Sequence, residues 1–148
     1  MLDIEPERIQ AWEGLGLAEM EQERFPEAIR AFEKALEIRS DRRMARNAVP
    51  WIRTLMAEEG KTVEVPLTLL QSYAGEYGPR RITLRDGYLY YQRPGRPEYR
   101  LRPLTQDTFL LEGYLRFRLR FIRDTGGRVL KVKGLYIEGR EDESSRTG

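Results

Sequence analysis

With 148 residues, 34% of them charged and 40% apolar, the chain has the composition of a charge-rich globular protein of one domain or two small ones. It contains no cysteine and no histidine, which excludes disulfides, zinc sites built on Cys or His, thiol nucleophiles and histidine general-base catalysis. The net charge of +2 conceals an asymmetry: residues 1–60 hold 9 Lys+Arg against 13 Asp+Glu, a net of −4, and residues 61–148 hold 17 against 11, a net of +6. That split fits either an anionic partner or attraction between the two halves.

The opening Met1-Leu2-Asp3-Ile4-Glu5-Pro6 is acidic and lacks the apolar core of a signal peptide. No apolar run approaches the ~18 residues of a membrane span. Pro6 suits the first turn of a helix, with Glu5 and Glu7 at its positive end. Ile9, Trp12, Leu15 and Gly16 follow at helical spacing, and Ala18 and Met20 extend the expected buried side. Phe25-Pro26 breaks this helix and starts a second, where Ala28, Ile29, Phe32, Ala35 and Leu36 obey the i, i+3, i+4, i+7 rule. Small residues at 16, 28 and 35 let the two helices approach, with Trp12, Leu15, Phe25 and Phe32 filling the space between them.

Trp12, Leu15, Gly16, Ala28, Phe32 and Ala35 carry a resemblance to the tetratricopeptide (TPR) family over about residues 9–42. Glu19 stands where that family usually has Tyr, and Ser40 where it usually has Pro. The resemblance implies a module that handles other proteins, through a protein partner or self-association. One repeat cannot bury both of its faces. Ser40-Asp41 is expected to cap a third helix from about residue 42 to 59, carrying Met44, Ala45, Ala48, Ile52, Leu55 and Met56, with Pro50 causing a kink or a late start. Candidate partner-binding residues here are Trp12, Glu19, Arg42, Arg43 and Arg46; the arginines fit an exposed helix face better than an anion site.

Residues 61–65 read as a linker, and residues 67–73 as one short helical piece behind Pro66. Strand signals follow at regular spacing. Asp86-Gly87, between the β-forming runs 81–85 and 88–92, predicts a hairpin with a type I′ turn. Residues 94–97 make the next reversal, and strands are expected near 99–102 and 109–112. Leu115, Phe117, Leu119 and Phe121 alternate with Arg116, Arg118 and Arg120, which puts four apolar residues inside and three arginines outside. Gly126-Gly127 turns the chain into residues 129–137, and the polar tail 141–148 is expected to fray. Such strands want a curled sheet or small barrel.

The spaced matches at Leu70, Tyr73, Gly75, Tyr77, Ile82, Leu84, Asp86, Gly87, Leu89, Tyr90, Arg100, Leu101, Pro103, Leu104, Asp107, Phe109, Arg118, Phe121, Asp124 and Gly127 carry a second resemblance. In that order, over about residues 66–140, they are similar to the lipocalin-like β-barrel tail of secreted serine hydrolases of the class C β-lactamase/penicillin-binding-protein type and of some carboxy-terminal processing peptidases. It implies a bacterial, periplasmic or secreted setting for a longer parent, and an accessory module without chemistry of its own. Neither Ser-x-x-Lys nor Gly-x-Ser-x-Gly occurs.

The expected fold is therefore α+β: a TPR-like hairpin plus third helix over 1–60, a linker at 61–65, a small antiparallel barrel over 66–140 and a polar tail. The expected function is a non-catalytic interaction or accessory module needing no cofactor or metal. Arg116, Arg118 and Arg120 are added as partner contacts; with Tyr88, Tyr90 and Tyr91 they could also serve nucleic acid, a reading disfavoured because alternating arginines keep a half-exposed sheet soluble. The alternative function is a carrier holding a small apolar ligand among Tyr77, Leu89, Tyr91, Leu101, Phe117, Leu119 and Phe121. A Glu112–Asp124 acid–base pair is outweighed by the turn-forming role expected of Asp124.

Overall fold

The computed structural model describes residues 5–148, and side chains from residue 7 onward. The expectations for residues 1–4 and for the Glu5 and Pro6 side chains lie outside the described residues. Among the described residues, four helices are followed by an eight-stranded antiparallel, nearly closed sheet, which makes the chain α+β. No described helix is long and apolar enough to cross a membrane.

The chain divides into two compact units: one holds the residues up to Lys61 with Ile137–Arg140, the other Thr62–Tyr136 and Glu141–Gly148. In the first, α1 (Glu5–Glu21), α2 (Phe25–Ile38) and α3 (Arg43–Ala57) follow one another. The α1–α2 connection is tight. Glu23 N–H donates to Met20 O (2.9 Å) and Arg24 N–H to Glu19 O (2.9 Å), with Glu23 at φ 61°. That is a Schellman closure with glutamate at the left-handed position glycine usually fills. Pro26 sits in the first turn of α2, where a missing N–H is harmless.

Helix α2 buries Phe25, Ala28, Phe32 and Ala35, as its spacing predicts, and Ala31 besides, while Ile29 and Leu36 of the expected stripe are half-buried. Helix α1 corrects the sequence reading. Its buried stripe is Ile9, Glu13, Gly16 and Met20, whereas Leu15 is 45% exposed, Ala18 is exposed and Trp12 is half-buried. Each residue advances about 100° around the helix, so 9, 13, 16 and 20 share a line and 12 and 15 fall on its flank. Gly16 lets the helices meet: a Cβ there would stand 2.5 Å from the Phe32 ring.

Helix α3 runs through Pro50 without a late start, burying Ala45, Ala48, Val49, Ile52 and Leu55, while Met56 is left 38% exposed. The expected Ser40-Asp41 cap does not form. Arg42 occupies the N-cap position with no side-chain cap bond, and Asp41 instead accepts from Arg39 Nε at 3.3 Å.

The second unit opens with α4 (Leu67–Tyr73), then β1 (Gly75–Tyr77), β2 (Arg80–Arg85), β3 (Tyr88–Gln92), β4 (Tyr99–Pro103), β5 (Thr108–Leu111), β6 (Tyr114–Arg123), β7 (Val129–Tyr136) and β8 (Glu141–Ser145). The order in the sheet is the order in the chain, each strand antiparallel to the next. Asp86 (φ 52°) and Gly87 (φ 82°) both take the left-handed conformation that a type I′ hairpin requires. The expected alternation in β6 holds: Leu115, Phe117, Leu119 and Phe121 are buried. All four residues of β5 are buried, both faces included, which is why its alternation is blurred in the sequence.

The frayed tail is overturned. Residues 141–145 are strand β8, in register with β7 from Lys131↔Ser145 to Leu135↔Glu141. The following residues meet the first strand: Thr147 N–H donates to Glu76 O (2.8 Å) and Glu76 N–H to Gly148 O (3.0 Å). Arg146 adds bonds to Ser72 O (2.8 Å) and Ala74 O (2.7 Å). A charged strand escapes hydropathy reading because one of its faces meets water and the other meets an arginine.

Candidate partner-binding surfaces

The flank of α1 carries Trp12, Leu15 and Glu19 outside the stripe that packs on α2. Beside it the buried carboxylate of Glu13, 6% exposed, accepts both prongs of Arg42, from Nε at 3.2 Å and from the terminal nitrogen at 2.6 Å. That bond, working against partial burial, holds the Arg42 guanidinium above its usual pKa. Glu19 is half-buried, with Arg24 at 3.7 Å.

The three arginines grouped by sequence are thus separated by structure. Arg42 is committed to Glu13, Arg43 Nε donates to Glu138 O (3.0 Å) within the same unit, and Arg46 is exposed. Helix geometry explains it, since 42 precedes the first turn while 43 and 46 lie within it.

The helical pair now stands as two helices of 17 and 14 residues, closed by a tight turn and packed through Gly16 on Phe32. Residues 9–42 match the tetratricopeptide repeat family. The TPR match covers α1 from residue 9, α2 and the turn toward α3; of the six residues that carry the resemblance, Gly16, Ala28, Phe32 and Ala35 are buried, whereas Trp12 is half-buried and Leu15 exposed. No curated protein matches the chain.

In the second unit, Arg116 and Arg118 are half-buried and Arg120 is exposed. Arg116 lies 5.3 Å from the Tyr114 ring, and Arg120 Nε donates to Thr108 Oγ1 (3.2 Å). Burial pushes the Arg118 guanidinium down to about 10, so it still carries its charge at neutral pH. The tyrosines are not a free stacking surface. Arg85 covers Tyr90 at 4.0 Å, Arg100 covers Tyr88 at 4.6 Å, and Tyr91 is inside. Those two arginines are in turn held by Glu98 (2.6 Å) and Glu112 (2.9 Å). Asp124 serves its turn, accepting from Gly126 N–H (2.9 Å) and Arg128 N–H (3.0 Å).

Tyr77, Leu89, Tyr91, Leu101, Phe117, Leu119 and Phe121 all lie in the barrel core, none more than 6% exposed. Tyr73 stacks on Phe121 at 4.1 Å, and Phe109 meets Phe121 edge-on at 5.6 Å. Burial pushes the Tyr77 phenol up to about 12 and raises that of Tyr73 as well.

One cluster escaped the sequence reading. Arg80, 2% exposed, points inward and donates to Tyr91 Oη (3.2 Å), Ser144 Oγ (3.3 Å), Tyr136 Oη (3.3 Å) and Asp142 Oδ1 (2.7 Å). Tyr136 also donates to Asp142 Oδ2 (2.7 Å). Burial works against the Asp142 charge, but bonds from Tyr136 and Arg80 outweigh it and keep the carboxyl below its usual range. Gly134 leaves the room, since a Cβ there would collide with Asp142 and stand 2.7 Å from the Arg80 guanidinium. The available signal was phase: Arg80 stands two before Ile82, on the inward side of β2.

Proposed function

We propose that the chain is a non-catalytic protein-interaction module that binds a protein partner through its TPR hairpin, and that the barrel is an accessory domain similar to the tails of secreted serine hydrolases. The observation that carries the first part is the α1 flank, where Trp12 is half-buried and Leu15 is 45% exposed on a repeat that has a face to spare. The second part rests on the ordered spacing of matches from Leu70 to Gly127. The lack of any histidine or cysteine supports a role outside catalysis. The carrier alternative has less behind it, because the Tyr73, Phe109 and Phe121 rings already touch where cargo would lie.

A photo-reactive amino acid placed at Leu15, with Gln10 on an exposed side of the same helix as control, tests the reading in cells expressing the full chain. A discrete adduct at 15 and not at 10 is the expected result. Identical or blank patterns at the two positions would remove the α1 flank from consideration.

A further inference from the structure

The flank of α1 has an internal symmetry that selects its partner. Arg8, Trp12, Leu15 and Glu19 are spaced 4, 3 and 4 residues apart, so they form one stripe along the helix. Read backwards, the stripe has the same spacing. Arg8 is exposed, Trp12 half-buried, Leu15 45% exposed and Glu19 half-buried, with Arg24 at 3.7 Å. Ala11 and Ala18, both exposed, border the stripe and leave room for a close neighbour.

We infer that this stripe is a homodimer contact, in which α1 of a second copy of the chain lies antiparallel on α1 about a two-fold axis between positions 13 and 14. The axis places Trp12 of one protomer against Leu15 of its partner, and Arg8 against Glu19, each layer occurring twice. Antiparallel seams with a 4-3-4 spacing pair their layers in this crossed manner, and a two-fold contact must be self-complementary. A parallel pair would instead set Arg8 on Arg8 and Glu19 on Glu19, which the charges forbid. The assignment rests on the interaction-module reading and deepens it: the partner is the chain itself. A single helix pair is a small contact, so association is weak and concentration-dependent.

Sedimentation velocity of the full chain across a wide concentration range, with charge-swap variants, tests it. The wild-type chain is expected to pass from monomer to dimer. Arg8→Glu and Glu19→Arg each turn two attractive layers into repulsive ones and weaken association about tenfold. Mixing the two variants restores it as a heterodimer. The introduced glutamate then faces the introduced arginine, and the unaltered Glu19 of the first variant faces the unaltered Arg8 of the second. A variant that had merely unfolded could not be rescued this way. A wild-type chain that stays monomeric throughout, or dimers indifferent to either swap, would overturn the inference. If the chain is monomeric and the Leu15 photo-probe still captures a different protein, self-pairing fails while the interaction-module reading stands. If both experiments are blank, both fail.

Discussion

Replacing Arg80 by methionine keeps most of the aliphatic stem and removes the charge and every donor. Four hydrogen bonds disappear, the shortest of them 2.7 Å to Asp142. Breaking a fully buried ion pair costs about 3–5 kcal/mol, but the Asp142 side chain is 39% exposed and water can take over part of the arginine's role. Tyr136 also keeps its own bond to Asp142. The expected loss is therefore about 2–4 kcal/mol. For a domain of 60–100 residues each kcal/mol moves Tm by about 4–8 °C. Thermal unfolding followed by the near-UV circular dichroism of the tyrosines reads this directly. The carboxyl of Asp142 is held low in the fold, so its contribution is present above the unfolded pKa, about 3.9, and is lost as pH falls through the lower folded value. Arg80→Met should accordingly flatten the acid limb of the stability profile below about pH 4. Pairing it with Asp142→Leu should recover part of the loss, since two apolar groups replace two charges. A single variant losing less than about 0.5 kcal/mol, the ordinary surface range, would show that Arg80 is not what joins β2 to β8.

Glu23→Gly relieves a side chain held at φ 61° and should stabilise the helical unit by about 0.5–1 kcal/mol in urea titrations; a loss would mean that the α1–α2 turn is not a Schellman closure. Gly134→Ala pushes a methyl group into the Arg80–Asp142 pair and should cost about 1–3 kcal/mol, measured the same way, and that cost should shrink in the Arg80→Met background. Tyr77 ionises near 12 in the fold against about 10 in the unfolded chain. The folded state thus retains protons that the unfolded state gives up, and stability should fall as pH rises above about 10. Tyrosinate absorbance should show a late-ionising component, and Tyr77→Phe should take one phenol out of it while that of Tyr73, also raised by burial, remains. Glu13→Leu strands Arg42 but fills a site between helices, so it should cost less than Glu13→Ala, which strands the arginine and leaves a cavity besides.

Much of this architecture is legible in the sequence where side-chain period and polarity agree. Ala28, Phe32 and Ala35 mark α2, Asp86-Gly87 marks its hairpin, and the four apolar residues of β6 mark a half-buried strand. Errors arise where a polar group is inside. Glu13 belongs to the buried stripe of α1, but a reading by hydropathy passes it over and draws in Leu15 instead. Asp142 and Ser144 face the interior from β8, and with no apolar residue beside them the strand looks like solvated tail. Arg118 sits on the outward side of β6 and is nonetheless half-buried, which alternation alone cannot show. For Glu13, Asp142 and Ser144 the partner that makes burial tolerable is remote in sequence: residue 42 for 13, and residue 80 for 142 and 144.

The joining of residues 147 and 148 to Glu76 has a kinetic consequence. Every other strand pairing links neighbours along the chain and can form as soon as both have emerged from the ribosome. The seam must wait for the last of about seventy intervening residues, and closing a loop that long costs about 4 kcal/mol of chain entropy. The helical pair, whose contacts are local, can be complete well before. Until the seam closes, β1 offers its backbone to any passing strand, so the interval between the two events is when this chain is most exposed to mispairing.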